Sequence, residues 1–222
     1  MAPGLLLSSR GMALAAVAAI LAPLAARAGL WAARATDPAL ARISTTLRPS
    51  SIALASGLAL ALVLALDLAG PARPAGLLVC VCLAGSAAAD REALVLPDLL
   101  TLGAEALGLA FRPFAPLASR RELLFAGIGL YGAGTAFAWA MRTWRGRAAF
   151  GQGDVKLIAG LGMLLPAALI APAVLAGALC ALASACLPSR SSARAIPLGL
   201  HLVVGSAVAL AAAPAFPALL GP

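Results

Sequence analysis

The spacing of charge constrains this chain more than any other feature. From Met12 onward, apolar runs about as long as a bilayer is thick alternate with short stretches that carry most of the arginines. A bilayer core of roughly 30 Å takes about 20 apolar residues per helix. Inside it the backbone must satisfy its own hydrogen bonds, which favours helices. The runs predict helices over 12–30, 51–70, 76–89, 94–111, 123–141, 155–165, 167–187 and 196–220. The expected fold class is therefore all-α, a polytopic helical membrane protein with about eight transmembrane helices. Seven is the alternative, if Pro166 and Pro172 merely kink one span across 155–187.

Composition agrees and removes competing classes. Apolar residues make up 63% of the 222, charged residues only 11%, and the mean hydropathy is +1.02, which excludes an ordinary soluble domain. A net charge of +8 would suggest nucleic acid in a soluble protein, but here the arginines lie between apolar runs instead of along one polar face. No nucleic-acid partner is expected, and lipid is the expected surrounding. Assigning alternate loops to the two sides puts eleven of the 16 basic residues on one side and five on the other. That bias orients the larger set to the cytoplasm and both chain ends outside. The run at 12–30 has some signal-peptide character but is expected to remain as a helix, since the following loop is rich in Arg. Residues 1–222 read as a single integral membrane domain, in which 1–70 forms an N-terminal helical hairpin without an assigned role.

Four cysteines, Cys80, Cys82, Cys180 and Cys186, lie in apolar runs without a Cys-x-x-Cys pair, and His201 is the only histidine. They read as buried structural residues, so no metal and no cofactor are expected. The eight carboxylates are more informative. Asp37, Asp67 and Glu122 suit a turn, an interface and a helix first turn respectively. Asp90 and Asp154 instead mark the cytoplasmic edges of two apolar runs, at one depth on one side. Ionisable residues at such positions are functional candidates because desolvating them is costly. Two carboxylates within reach of each other share a proton, and such a pair activates water without a metal. Gly151 and Gly153 leave the backbone beside Asp154 open to an extended substrate.

The segments around the two aspartates, DREALVLPDLLTL from Asp90 and FGQGDVKLIAGL from Phe150, together resemble the prepilin peptidases, also called type IV leader peptidases. In that family an Asp seven residues before a Pro-Asp-x-Leu-Thr segment pairs with the Asp of Gly-x-Gly-Asp-Val-Lys-Leu. Here Asp90 precedes Pro97, Asp98 and Thr101 in that form, and Ile196-Pro197-Leu198-Gly199 is similar to the family's Ile-Pro-Phe-Gly. The motifs occupy 90–199. The resemblance implies an intramembrane aspartyl endopeptidase of the Gly-x-Gly-Asp type in the bacterial inner membrane, with Asp90 and Asp154 catalytic. Its substrate would be the leader of a prepilin or pseudopilin, cut on the cytoplasmic side for a type IV pilus or type II secretion system. The loop at 32–50 has no cysteine, so the likeness is to a short form without the family's zinc-binding, methyl-transferring loop.

Supporting or substrate-binding roles fall to Gly151, Gly153, Lys156, Pro97, Asp98 and Thr101. Lys156 stands two positions past Asp154, where it either lowers that carboxylate's pKa and holds the loop or snorkels to the interface. Asp98, Thr101 and Glu105 share one helix face, and a structural hydrogen bond to another helix is the expected role of Glu105. The competing reading is a small membrane transporter or assembly subunit that uses the same carboxylates as a proton path. Under the aspartyl reading, cleavage by the purified protein in detergent survives EDTA. Loss of activity in chelator, restored by a divalent cation, would contradict it.

Overall fold

The computed structural model describes residues 9–37, 40, 42, 44–65, 73–112, 115, 119–146, 151–186 and 196–213. Every regular element among them is an α-helix: α1 (Ser9–Thr36), α2 (Pro49–Ala65), α3 (Arg73–Ala93), α4 (Asp98–Phe111), α5 (Arg120–Arg145), α6 (Gln152–Leu164), α7 (Ala167–Cys186) and α8 (Leu198–Ala212). Four of these, α1, α3, α5 and α7, are long and apolar enough to cross a membrane. The chain is thus an all-helical, polytopic membrane protein.

Small residues decide how the helices meet. Lipid tails are as apolar as leucine, so helices associate in a membrane through close packing instead of water exclusion. Ala15, Ala18, Ala22 and Ala26 form a fully buried stripe on α1, and Ser51, Ala55, Ala59 and Leu62 form one on α2. Both helices pack on α3, where a Cβ on Gly85 would come within 3.1 Å of the Ala26 backbone nitrogen. The Ser56 hydroxyl donates to the Ala19 carbonyl at 2.7 Å, a bond from α2 to α1. At the other end of the chain α7 and α8 pack against each other. There Gly177 faces the His201 carbonyl, and Gly205 faces both the Ala173 carbonyl and the Gly177 backbone.

Between these groups lies α6, whose Val155, Leu157, Ala159, Gly160, Leu161, Gly162 and Leu164 are all buried. It contacts α4, α5, α7 and α8. At 13 residues it is about 20 Å long, too short to cross the bilayer core alone. Leu165 takes an extended conformation (φ −102°, ψ 149°) just before Pro166, which separates α6 from α7. Two helices therefore occupy 152–186, and the kinked single span does not form.

Several boundaries differ from expectation. The run at 94–111 was expected to be helical throughout, but α4 starts only at Asp98. Leu94 ends α3 with φ +55°, and Pro97 keeps the residue before it out of the helical region. The short run expected at 76–89 is a 21-residue helix that continues through Asp90 to Ala93. Asp90 thus lies inside the last turns of α3, not beyond its end. Of the expected helices at 51–70 and 196–220, residues 66–70 and 214–220 lie outside the described residues, as does Asp67. Glu122 closes a capping box with Ser119 at the start of α5, which accounts for an acid in that first turn.

A methyl group on Gly205 would collide with backbone atoms, whereas one on Gly57 would meet nothing within 4 Å. Gly205→Ala is expected to lower the melting temperature in detergent, through an overpacking cost of about 1–3 kcal/mol. Gly57→Ala is expected to leave it unchanged or raise it. Equal melting of the two variants would contradict the close α7–α8 contact.

Candidate active site

Asp90 sits in a difficult place for a carboxylate. It is only 5% exposed, and it lies near the C-terminal end of α3, where the helix dipole disfavours negative charge. Its compensation comes from α8. Pro197 at the N-cap has no N–H, and the free amides of the first turn of α8 face the carboxylate, with the Leu200 N–H donating to Asp90 Oδ2 at 2.9 Å. A helix N-terminus is a ready anion site. The approach needs Gly199, since a Cβ there would stand 3.0 Å from Asp90 Oδ2 and 2.8 Å from the Leu96 side chain.

Asp154 is placed by different means. It occupies the first turn of α6, a helix outside the four long spans, and its Oδ2 accepts from the N-cap Gly151 N–H at 3.3 Å. It is half-buried. Burial pushes its carboxyl above the usual carboxylate range, and the Gly151 N–H partly offsets that rise. The Asp154 carboxylate is an electrostatic neighbour of Asp90. Leu96 joins the two sides, since it packs 3.1 Å from the Cβ position of Gly153 and against Gly199 next to Asp90. A buried carboxylate from α3 and a half-buried one from α6 thus lie beside the two glycines that pack on Leu96, each with a backbone amide on Oδ2.

The other predicted residues form the wall beside this pair. Pro97 is fully buried, and Thr101, buried in α4, donates back to the Pro97 carbonyl at 3.3 Å. Gly29 of α1 lies directly beneath them, with Leu100 and Pro97 within about 3 Å of its Cβ position. The N-terminal helix therefore supports the Pro97–Thr101 segment. Lys156 does not bond Asp154. Its Nζ bonds both carboxylate oxygens of Asp98, at 2.7 and 2.9 Å, and so ties α6 to α4. The ammonium expected to act on Asp154 or on its loop is engaged instead by a carboxylate that α4 presents. Glu105 was expected to hydrogen-bond another helix. Instead its Oε1 is buried, has no hydrogen-bond partner among the described residues, and lies against Gly160, whose missing side chain makes room for it.

Three contributors escaped the sequence reading. Leu96 and the amide of Leu200 act through shape and backbone, which leave little trace in residue type, although the Ile196–Gly199 fragment marked the place. Glu92, two residues past Asp90, accepts from Ser51 Oγ at 2.7 Å and pairs with Arg48 Nε at 3.2 Å. It fastens the end of α3 to the start of α2.

Comparison with known proteins gives one family. Residues 77–186, which include both aspartates, match the model of the type IV leader peptidase family. No curated protein and no solved structure matches the chain.

The Lys156–Asp98 pair is partly open to solvent, with 32% and 57% of the side chains exposed, so its coupling is expected to be modest, about 1 kcal/mol or less. In a double-mutant cycle on thermal unfolding, Asp98→Asn together with Lys156→Met should cost no more than the worse single variant. Full additivity would show that the two residues act independently.

Proposed function

The chain belongs to the type IV leader peptidase family, and from that premise we propose that it is an aspartyl endopeptidase in which Asp90 and Asp154 activate the water that cuts a prepilin-type leader. The observation that carries this reading is that Asp90 of α3 and Asp154 of α6 lie next to residues, Gly199 and Gly153, that pack on the same Leu96 side chain, with Asp154 acting electrostatically on Asp90. Each is steadied by a backbone N–H. Two like charges so placed do not both ionise readily, so the pair keeps one proton between them.

The chemistry then follows from that single proton. The ionised carboxylate takes a proton from water as the water oxygen bonds to the scissile carbonyl carbon. The protonated partner gives its proton to the carbonyl oxygen, which forms a neutral gem-diol. On collapse the C–N bond breaks, the leaving nitrogen takes the proton now on the first carboxyl, and one gem-diol hydroxyl returns a proton to the second. The pair ends as it began, with one shared proton. A Cβ on Gly151 would stand 3.2 Å from Asp154 Oδ2 and one on Gly153 3.1 Å from Leu96, so the two glycines give the Asp154 carboxylate and Leu96 their room, and the open approach to the backbone that the sequence suggested is taken up by these side chains.

The arginine bias of the loops supports a site on the cytoplasmic face of a bacterial inner membrane. The cysteine-free 32–50 segment supports a short, peptidase-only form. Within one membrane domain the motif-bearing part spans 90–199. The N-terminal pair of helices serves it as a support, which is how we read Gly29 under Pro97 and Arg48 and Ser51 on Glu92.

Asp90→Asn and Asp154→Asn should each abolish cleavage of a prepilin by the purified protein in detergent, with no gradient present, while melting as the wild type does. The wild-type rate should follow a bell-shaped pH profile. Because burial raises the Asp154 carboxyl, the acidic limb should lie above the ordinary carboxylate range of about 4. Substantial cleavage by either Asn variant would remove that residue from the pair. Activity that required a membrane gradient would favour a proton path.

A further inference from the structure

The pair of aspartates is not the only feature at the start of α6. A groove of about 450 Å³ runs between α5 and the first turn of α6, with Thr135, Ala138, Trp139 and Arg142 on one wall and Gly151 and Gln152 on the other. The wall residues fall on one face of α5, a helix whose window is otherwise only 11% buried. Where α5 closes on α6, Gly134 admits Val155, which lies 3.0 Å from its Cβ position. Trp139 is 69% exposed, and Arg142 has no ion pair among the described residues. Gly151 is the residue whose N–H holds Asp154, so the groove adjoins the catalytic carboxylate without containing it.

We infer that this groove is the specificity cleft of the peptidase and holds an extended segment of the peptide substrate next to the scissile bond. The inference rests on the peptidase reading. Its chemistry selects a peptide over a lipid tail. An acyl chain has no use for the hydroxyl, amide and guanidinium donors of Thr135, Gln152 and Arg142. An extended backbone in apolar surroundings, by contrast, must find partners for its own N–H and C=O groups. Trp139 and the small Ala138 form an apolar shelf between these polar points, where one substrate side chain packs. From Tyr131 to Arg142 the wall is about 16 Å long by helical rise, which matches about five residues of extended chain. Arg142 at one end donates to main-chain carbonyls, and Ala138 sets the size of the side chain that fits.

The test uses the full-length protein in detergent with a prepilin as probe. A photoreactive benzoylphenylalanine at Thr135, placed in the Asp154→Asn background so that substrate is bound but not cut, should crosslink to the prepilin within a few residues of the scissile bond. In the otherwise wild-type enzyme, Ala138→Trp should raise KM roughly tenfold with kcat little changed. A substrate with glycine at the crosslinked position should recover most of that loss. Arg142→Gln, which adds no bulk, should also act through KM. Crosslinks to detergent or lipid alone would overturn the cleft, as would an unchanged KM in both folded variants. Because crosslinking reads binding in a catalytically disabled protein, its success or failure is separate from that of the aspartyl mechanism, which is tested by whether the Asn variants still cleave.

Discussion

The structure depends on how a buried carboxylate near the wrong end of a helix is satisfied. Asp90 lies close to the C-terminus of α3, out of water and against the helix dipole. Without compensation such a group would stay neutral or force the helix apart. The amides at the start of α8 supply the compensation, with the Leu200 N–H on Oδ2 at 2.9 Å. That bond joins residues 110 positions apart. It fixes where α8 must begin, requires glycine at 199, and brings Leu96 over the site. The α7–α8 glycine contact then holds α8 at that depth.

A second set of contacts holds the opposite side. α6 is buried against α4 and α5 and carries Asp154 on its first turn. The Lys156–Asp98 bond, Gly160 under Glu105 and Gly108 against Leu164 run in the same order along α4 and α6, so these two helices lie parallel and in fixed register. The α1–α2 pair reaches both sides: Glu92 receives Arg48 and Ser51 at the end of α3, and Gly29 seats Pro97 and Leu100 at the start of α4. A substitution far from the aspartates, at Gly29 or Arg48, thus acts on the site through helix placement.

Much of this was legible in the sequence because membrane helices and their ionisable exceptions leave strong signals. The apolar runs located the eight helices of the described residues, and a place at the edges of two such runs singled out Asp90 and Asp154 as candidates. Of the shared face of Asp98, Thr101 and Glu105, the first and last do turn toward α6. What escaped was set by backbone and by tertiary choice. Apolar character at 94–97 hid the break that Leu94 and Pro97 impose. The nearness of Lys156 to Asp154 in sequence suggested a pairing that helical geometry gives to Asp98 instead. Glu92 looks like any interfacial acid until α2 is placed beside it, and the Leu200 amide has no side-chain signature.

The central claim is that Asp90 and Asp154 titrate as one unit. The direct measurement is the protonation of the Asp90 carboxyl, followed by carboxyl-stretch infrared difference spectroscopy on detergent-solubilised protein across the pH range, in the wild type and in Asp154→Asn. The account predicts two macroscopic steps in the wild type that collapse to a single Asp90 step when Asp154 loses its charge. An Asp90 titration identical in both proteins would show that the two carboxylates do not share a proton and would contradict the account.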